Sequence, residues 1–396
     1  MIYLDNGATT FPKPECVYET VDRFGRTAAV NAGRGAYRAG REASAMIRQV
    51  RQSLLSLCDA RGQAEVVFTH SVTVALNQLI LGLDWKEGDT AYVSPYEHNA
   101  VLRPLQMLKK TKGVRMEELA LSPDLRLELD AIAKQFETRP PKLVSLTAIS
   151  NVTGYVLPAE EVFRLARPYG SFNLLDASQA MGLLRLRFGQ LRADAVAFAG
   201  HKTLYAPFGI AGFLLRESRE KLLREVVTGG NGKNSLSLDM PSYLPEKLES
   251  SSLNTVAIAG LQASLEWLKD RDPWREEQPL ALRLRKGLEA IPGVTVYGAP
   301  EGTEQAGVIS FNVEGFRANE VAAILDHRHD IAVRAGHHCA ALIHRRLNDA
   351  VYDGTVRASI GLFTTEEEID ALLHAVSAID REALKGISAD ILRGNC

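Results

Sequence analysis

The chain has 396 residues, enough for a large core and two domains. Its 46 Lys and Arg nearly balance 48 Asp and Glu, a net charge of −2 with no basic tail or stripe, so neither nucleic acid nor another polyanion is an expected partner. No apolar run approaches the ~20 residues of a membrane span, the start MIYLDNGATT lacks a leader pattern, and four scattered cysteines (Cys16, Cys58, Cys339, Cys396) suit free thiols in a reducing cytoplasm.

No internal repeat or low-complexity segment interrupts the pattern. Residues 41–58 place Ala43, Met46, Ile47, Val50, Leu54 and Leu57 on one helical face. Short apolar runs follow at Val66–Thr69, Ala91–Ser94, Leu143–Ile149, Asn173–Leu175, Ala195–Phe198 and Ile210–Leu215, separated by helical segments. That alternation predicts an α/β fold with a mostly parallel sheet and helices on both faces. Residues 228–252, rich in Gly and Ser, read as a loop crossing between domains or subunits, or as a mobile surface loop. Beyond Asn254 the pattern changes to helices at Val256–Lys269 and Trp274–Ala290, strands at Val294–Tyr297 and Val308–Val313, a helix near Asn319–Asp326 and a helix at Thr365–Val376 with an acidic first turn. This part is expected to form a smaller α+β domain.

Three stretches carry chemistry. In AFAGHKTLYAPFGIAGFLL (197–215), Lys202 sits on a turn between two apolar strands. Burial lowers the pKa of an amine, and such an amine forms a Schiff base, the central need of pyridoxal phosphate (PLP) chemistry. In NLLDASQAMG, Asp176 ends a short strand, where a carboxylate suits a pyridine nitrogen; its plainer reading is the N-cap of a helix at Ser178–Met181. In IAVRAGHHCAAL (331–342), His337, His338 and Cys339 are adjacent. Metal sites favour spaced ligand pairs, so no metal is expected, and the basic surroundings favour a nucleophilic thiolate.

With these stretches in order, the chain resembles the class V aminotransferase-like PLP enzymes of fold-type I. Within them it is similar to the group II cysteine desulfurases of the SUF and selenocysteine-lyase type. The resemblance is carried by YLDNGATT (3–10), NAGRGAYRAGREA (31–43), VFTHSVTVALN (67–77), EHNAVLRPL (97–105), SNVTG (150–154), LDASQA (175–180), AGHKTLYAPFGIAG (199–212), LNT (253–255), RAGHHCA (334–340) and VRASIGLF (356–363). It implies an N-terminal arm (1–15), a large PLP-binding domain (16–255) and a small C-terminal domain (256–396).

It also implies roles. Lys202 is the Schiff-base lysine, Asp176 the partner of the pyridinium nitrogen, Gln179 a hydrogen bond to the ring oxygen, and His98 the imidazole stacked on the ring. Thr73 and His201 are phosphate ligands. Asn151 and Arg357 clamp the substrate carboxylate, for which an Arg fork is suited. Cys339 is the nucleophile that takes sulfur. Thr73 also opens an apolar helix, and helix N-termini attract phosphate. Arg357 lies in strand-like TVRASIG, where its plainer reading is a solvent-facing edge residue.

The chain departs from the family pattern in places. Ser71-Val72-Thr73-Val74 stands where Gly-Thr-Thr-Glu is common, Ala199 where Ser is common, and ESSSLN (249–254) where Glu-x-Gly-Thr-x-Asn is common. Ser71, and Ser252 from a partner subunit, are the expected replacements in the phosphate cup. The proline often found two residues after the cysteine is absent. The expected activity is conversion of L-cysteine to L-alanine with sulfur passed to Cys339 as a persulfide, in a homodimer that serves a sulfur-acceptor protein, as in iron–sulfur cluster assembly. The alternatives are selenocysteine lyase, another PLP reaction on this scaffold (C–S lyase, transaminase, epimerase), and a non-catalytic sulfur carrier.

Overall fold

The computed structural model describes residues 1–32 and 37–388, so residues 33–36 of the 31–43 motif and Cys396 lie outside the described residues. Its strands are β1 (Ile2–Tyr3), β2 (Ala64–Thr69), β3 (Thr90–Val93), β4 (Arg115–Glu118), β5 (Leu143–Thr147), β6 (Phe172–Asp176), β7 (Ala195–Ala199), β8 (Ala211–Arg216), β9 (Val294–Tyr297), β10 (Val308–Val313), β11 (Ile331–Ala332), β12 (Arg334–Gly336) and β13 (Thr355–Ser359).

Seven of them form one sheet in the order β2-β8-β7-β6-β5-β3-β4. The five from β7 to β4 are parallel, whereas β8 runs antiparallel to both β7 and β2. Strands β3, β5, β6 and β7 are buried at every position, as strands covered on both faces must be. Helix Arg38–Leu57 packs its apolar stripe into the core on one face, through Met46, Ile47, Val50 and Leu54. Helices Val72–Leu81 and Asn99–Lys112 fill the other, through Leu76, Leu79, Val101 and Leu105. Each such side chain contributes roughly 1.5–3 kcal/mol by leaving water.

Parallel register brings strand ends together. Thr147 of β5 pairs with Asp176 of β6, which pairs with Ala197 of β7. The loops after β3, β5, β6 and β7 therefore emerge at one edge, the place where open α/β sheets hold ligands. They carry His98, Asn151, Asp176–Gln179 and Lys202.

A second sheet, β12-β13-β10-β9, is antiparallel. Its two-residue alternation sorts the side chains. Ile309, Phe311, Val356 and Ala358 join a core with helices Pro273–Glu289, Ala318–His329 and Glu366–Ser377. Ser310, Asn312, Thr355, Arg357 and Ser359 alternate with them and are buried too. Ser310 reaches the Val152 carbonyl and Arg357 the Asn151 carbonyl, so this polar face meets the loop after β5. The N-terminal segment joins the C-terminal part: β1 and β11 form a two-stranded parallel sheet, and Asp5 bridges to Ser359 of β13.

Two expectations change. Residues 177–180 form a turn and no helix, so Asp176 is not a helix N-cap; its Oδ1 accepts from the Ser178 N–H and hydroxyl, which closes the chain two residues on. Arg357 is not a solvent-facing edge residue, because β13 lies between β12 and β10 and the side chain is 2% exposed.

Candidate active site

Strand β7 ends at Ala199, and a turn closed by Tyr205 N–H to the Lys202 carbonyl (2.7 Å) presents Lys202. Its amine makes no hydrogen bond among the described residues. Burial lowers its pKa to about 8; the charges of Asp176 and Cys339 oppose that shift, and those of Arg357 and Arg334 assist it. These four side chains therefore lie within electrostatic reach of the amine.

Asp176 is 3% exposed at the end of β6. Among the described residues its donors all engage Oδ1, which leaves Oδ2 without one. Gln179 is buried as well, and its Nε2 donates to the Gly7 carbonyl (2.7 Å).

His98 is a helix cap that also lines a cavity. It begins helix Asn99–Lys112, and its Nδ1 accepts from the Ala100 N–H at 3.0 Å. Nδ1 is thus unprotonated and Nε2 carries the hydrogen. Burial first, then the Lys202 cation, lowers its pKa; Asp176 acts in the opposite direction. His98 shares an open cavity of about 310 Å³ with Thr73, Asn77, Arg103 and Cys339.

Ser71, not Thr73, caps helix Val72–Leu81, its Oγ accepting from the Val74 N–H, and Thr73 is exposed in the first turn. His201 stacks on Phe208 with ring centroids 4.5 Å apart, and its Nδ1 is buried without a partner among the described residues. Burial, then Lys202 and Lys13, lower its pKa to about 4, so the ring is neutral.

Arg357 spends two of its five N–H groups on the protein, one to the Asn151 carbonyl (3.0 Å) and one to Asp5 Oδ1 (2.8 Å). Its Nε is buried and has no partner among the described residues. Asp5 also receives Arg334 Nε and Nη2, at 3.0 and 2.8 Å from Oδ2, so one carboxylate orients two guanidinium groups. A Cβ on Gly7 would stand 3.3 Å from Arg357 Cζ and 3.2 Å from Ser359 Oγ, so a side chain there would press on this arrangement.

Cys339 is exposed, on a loop anchored at three points. The Asn99 N–H donates to the Cys339 carbonyl (2.6 Å), and Asn151 Nδ2 donates to the His338 carbonyl (2.7 Å). His338 Nε2 lies 3.1 Å from the Thr355 carbonyl and 3.0 Å from the Thr355 hydroxyl, so the ring is pinned to β13. Both His338 and Cys339 have left-handed backbone, φ 45° and 55°, a conformation that costs a non-glycine residue about 1–2 kcal/mol.

Ser252 is not brought to this cluster within one chain. It is exposed, its Oγ accepts from Asn31 Nδ2, and it lines a separate cavity of about 930 Å³ with Arg48 and Arg51.

Residues 2–372 match the model of the family described as aminotransferase class-V. This chain belongs to the aminotransferase class-V family. It is 31% identical to a probable cysteine desulfurase of Pyrococcus abyssi, the match covering 96% of this chain and 94% of that protein. It is 30% identical to a cysteine desulfurase of Salmonella agona, again over 96% and 94%. Among solved structures, the apo cysteine desulfurase of Thermococcus onnurineus matches with a TM-score of 0.88 and 32% identity, covering 97% of this chain and 95% of that one. The S-sulfonic acid form of a cysteine desulfurase from Escherichia coli matches at 0.84 and 27%, over 98% and 95%. The large mixed sheet and the smaller C-terminal sheet are those of this family's fold-type I architecture.

Sequence reasoning passed over three side chains around this cluster. Asp5 and Arg334 lie inside quoted motifs, and a charged residue directly after apolar Leu4 was the available signal. Glu97, beside His98, is fully buried and accepts from Ser94, Ser145 and the Thr147 N–H. Burial, with the Asp176 charge adding, raises its pKa to about 8.

Proposed function

We propose that this protein is a PLP-dependent cysteine desulfurase of the group II type, which converts L-cysteine to L-alanine and takes the sulfur on Cys339. The observation that carries the reading is the convergence on the Lys202 amine: burial lowers it to about 8, and Asp176, Arg357 and Cys339 all act on it. The relatives named above and the RAGHHCA loop support the same activity.

The residues fit the cofactor. Among the described residues the Lys202 amine and Asp176 Oδ2 lack partners, and His201 Nδ1 is buried and unpaired, which are the donor and acceptor types that an aldehyde, a protonated pyridine nitrogen and a phosphate require. Lys202 would hold the cofactor, Asp176 its ring nitrogen, His98 and Gln179 the ring, and Ser71, Thr73 and His201 the phosphate, with Ser252 completing the cup from the partner subunit of a homodimer. When bound, PLP supplies an electron sink for the pair released at the substrate α-carbon.

The chain's own groups do the rest. Arg357, oriented by Asp5 and assisted by Asn151, holds the substrate carboxylate through its uncommitted N–H groups. That fixes the α-hydrogen toward Lys202 Nζ, whose lowered pKa suits a base near neutral pH. The Cys339 thiolate attacks the substrate sulfur. A sulfur–sulfur bond forms, the carbon–sulfur bond breaks with its electron pair left on carbon, and that carbon takes a proton and departs as alanine. Exposure of Cys339 suits delivery of the sulfur to an acceptor protein or a reductant. The division into an arm (1–15), a large domain (16–255) and a small domain (256–396) is part of this reading, supported by the separate apolar core of the C-terminal sheet. A cytoplasmic setting is also part of it, supported by the three free cysteines among the described residues.

The test is incubation of the holoenzyme with L-cysteine and a reductant while alanine and sulfide are quantified together. Equal amounts establish desulfuration. Pyruvate and ammonia with the sulfide would mean a C–S lyase, and a rate far higher on selenocysteine would mean selenocysteine lyase.

A further inference from the structure

One backbone carbonyl beside the site has an unusual number of donors, all from the N-terminal segment. The His201 carbonyl, in the peptide that leads into Lys202, faces Lys13 Nζ at 2.7 Å, Thr9 Oγ1 at 2.9 Å, the Thr10 N–H at 3.2 Å and Thr10 Oγ1 at 3.3 Å. A carbonyl oxygen has two lone pairs, so it is saturated. The next carbonyl, of Lys202 itself, accepts from Thr10 Oγ1 at 3.0 Å. The Thr10 hydroxyl has one hydrogen; the shorter contact directs it to Lys202, while its oxygen accepts from Lys13 Nζ at 2.7 Å. Lys13 is thus the keystone of the cluster, bonded to both Thr10 and the His201 carbonyl.

The same segment grips the other half of the site. Asp5 binds Arg357, the Gly7 N–H donates to Ser359 Oγ (2.7 Å) beside Arg357 on β13, and the Gly7 carbonyl receives Gln179. Between Asp5 and Lys13 the chain is further fixed by Phe11 N–H to Asn6 Oδ1 (3.2 Å). Nine residues therefore run from the guanidinium on the C-terminal sheet to the turn on the large one. No motif assigned to binding or catalysis explains Thr9, Thr10 or Lys13.

We propose that residues 5–13 are a positioning strap that sets the Lys202 turn against Arg357, and that Lys13 is the positioning residue that holds the His201–Lys202 backbone. This rests on the reading of Lys202 as the reactive amine and Arg357 as the carboxylate clamp. A reacting amine must meet the α-hydrogen in a narrow range of distance, and a displacement near 1 Å costs on the order of 10²-fold in rate. Burial of Lys13 lowers its pKa to about 7, but the amine donates in either protonation state.

The test compares holoenzyme of wild type, Lys13→Met and Lys13→Arg. Hydrogen exchange is followed in the peptide spanning residues 200–206, whose Tyr205 and Ala206 amides bond to the Lys202 and Gly200 carbonyls. Steady-state kinetics separate kcat from KM for L-cysteine. Lys13→Met is expected to speed exchange in that peptide on the order of tenfold, leave peptides from β5 and β6 unchanged, and lower kcat about 10²-fold with little change in KM. Lys13→Arg is expected to restore most of both. Unchanged exchange, or loosened exchange with wild-type kcat, would overturn the strap, as would a loss spread over the whole molecule that Arg does not rescue. Borohydride reduction and peptide mapping of wild type are done in parallel. Label on a lysine other than Lys202 would overturn the underlying reading, and the strap with it, whatever the Lys13 variants do.

Discussion

Lys202 and Cys339, close enough for the charge of one to act on the other, belong to two regions that are built in opposite ways. Lys202 follows a fully buried strand of a sheet covered on both faces, and its backbone is held by donors from residues 9–13. Cys339 is exposed on a loop outside any strand, in left-handed backbone, held by a hydrogen bond from Asn99 and, through His338, by one from Asn151 and by the contacts of the His338 ring with Thr355. The contrast follows the chemistry proposed for each. An amine that serves as a base is tuned by exclusion of water and by immobility. A thiol that takes sulfur from a substrate and gives it to an acceptor has to stay within reach of solvent.

The sharpest way to break this contrast is at the buried end. Lys202→Ala is expected to lower turnover by at least ~10⁴-fold and to remove the cofactor's lysine-linked absorbance, since the base is lost with the attachment. Cys339→Ser is expected to keep that absorbance, abolish persulfide and slow alanine formation by about 10²-fold or more, as loss of a positioned nucleophile does. Its urea midpoint should match wild type, because exposed substitutions usually change stability by less than ~0.5 kcal/mol. A large loss of stability in Cys339→Ser would show that the thiol is structural.

Arg357→Lys sharpens the link between the two regions. It keeps the charge but removes the planar fork that meets Asp5 and the Asn151 carbonyl. KM for L-cysteine should rise on the order of tenfold to 10²-fold, with smaller loss in kcat. A kcat loss without a KM change would place Arg357 outside substrate binding.

The smallest expected effect concerns pH and falls on the Lys202 side. Glu277 lines a cavity of about 20 Å³, room for one water, with Gln179, Thr203 and Tyr205. Burial raises its carboxyl from 4.5 to about 8, as it does that of Glu97. The folded state then holds a proton that the unfolded chain releases near 4.5. This contribution to stability is present below pH 4.5 and is lost as pH rises through about 8. Glu277→Gln should therefore flatten the fall of unfolding free energy between pH 5 and pH 8, measured by urea titration. An unchanged slope would mean that this carboxyl is ionised in the fold.

Much of this was legible in the sequence. The runs at Val66, Ala91, Leu143, Asn173, Ala195 and Ile210 are strands of the large sheet, and Val294–Tyr297 and Val308–Val313 match β9 and β10 residue for residue. Apolar runs between turn residues state their own burial. Strand β4 was not legible, because RMEE is a charged edge strand whose pairing with β3 is a tertiary fact. The histidine, aspartate and lysine that gather at the strand ends could be read from their places after strands. The strap could not, since it consists of contacts from Thr9, Thr10 and Lys13 to carbonyls nearly two hundred positions away, and backbone acceptors leave no mark in a sequence.

The most direct test of the account is a single turnover of the holoenzyme with L-cysteine and no reductant, followed by mapping of the added sulfur. The account predicts one alanine per active site and one extra sulfur atom on the peptide that carries Cys339, with neither extra sulfur nor wild-type alanine formation in Cys339→Ser. Alanine formed at the wild-type rate by Cys339→Ser, or sulfur mapped to Cys16 or Cys58, would contradict it.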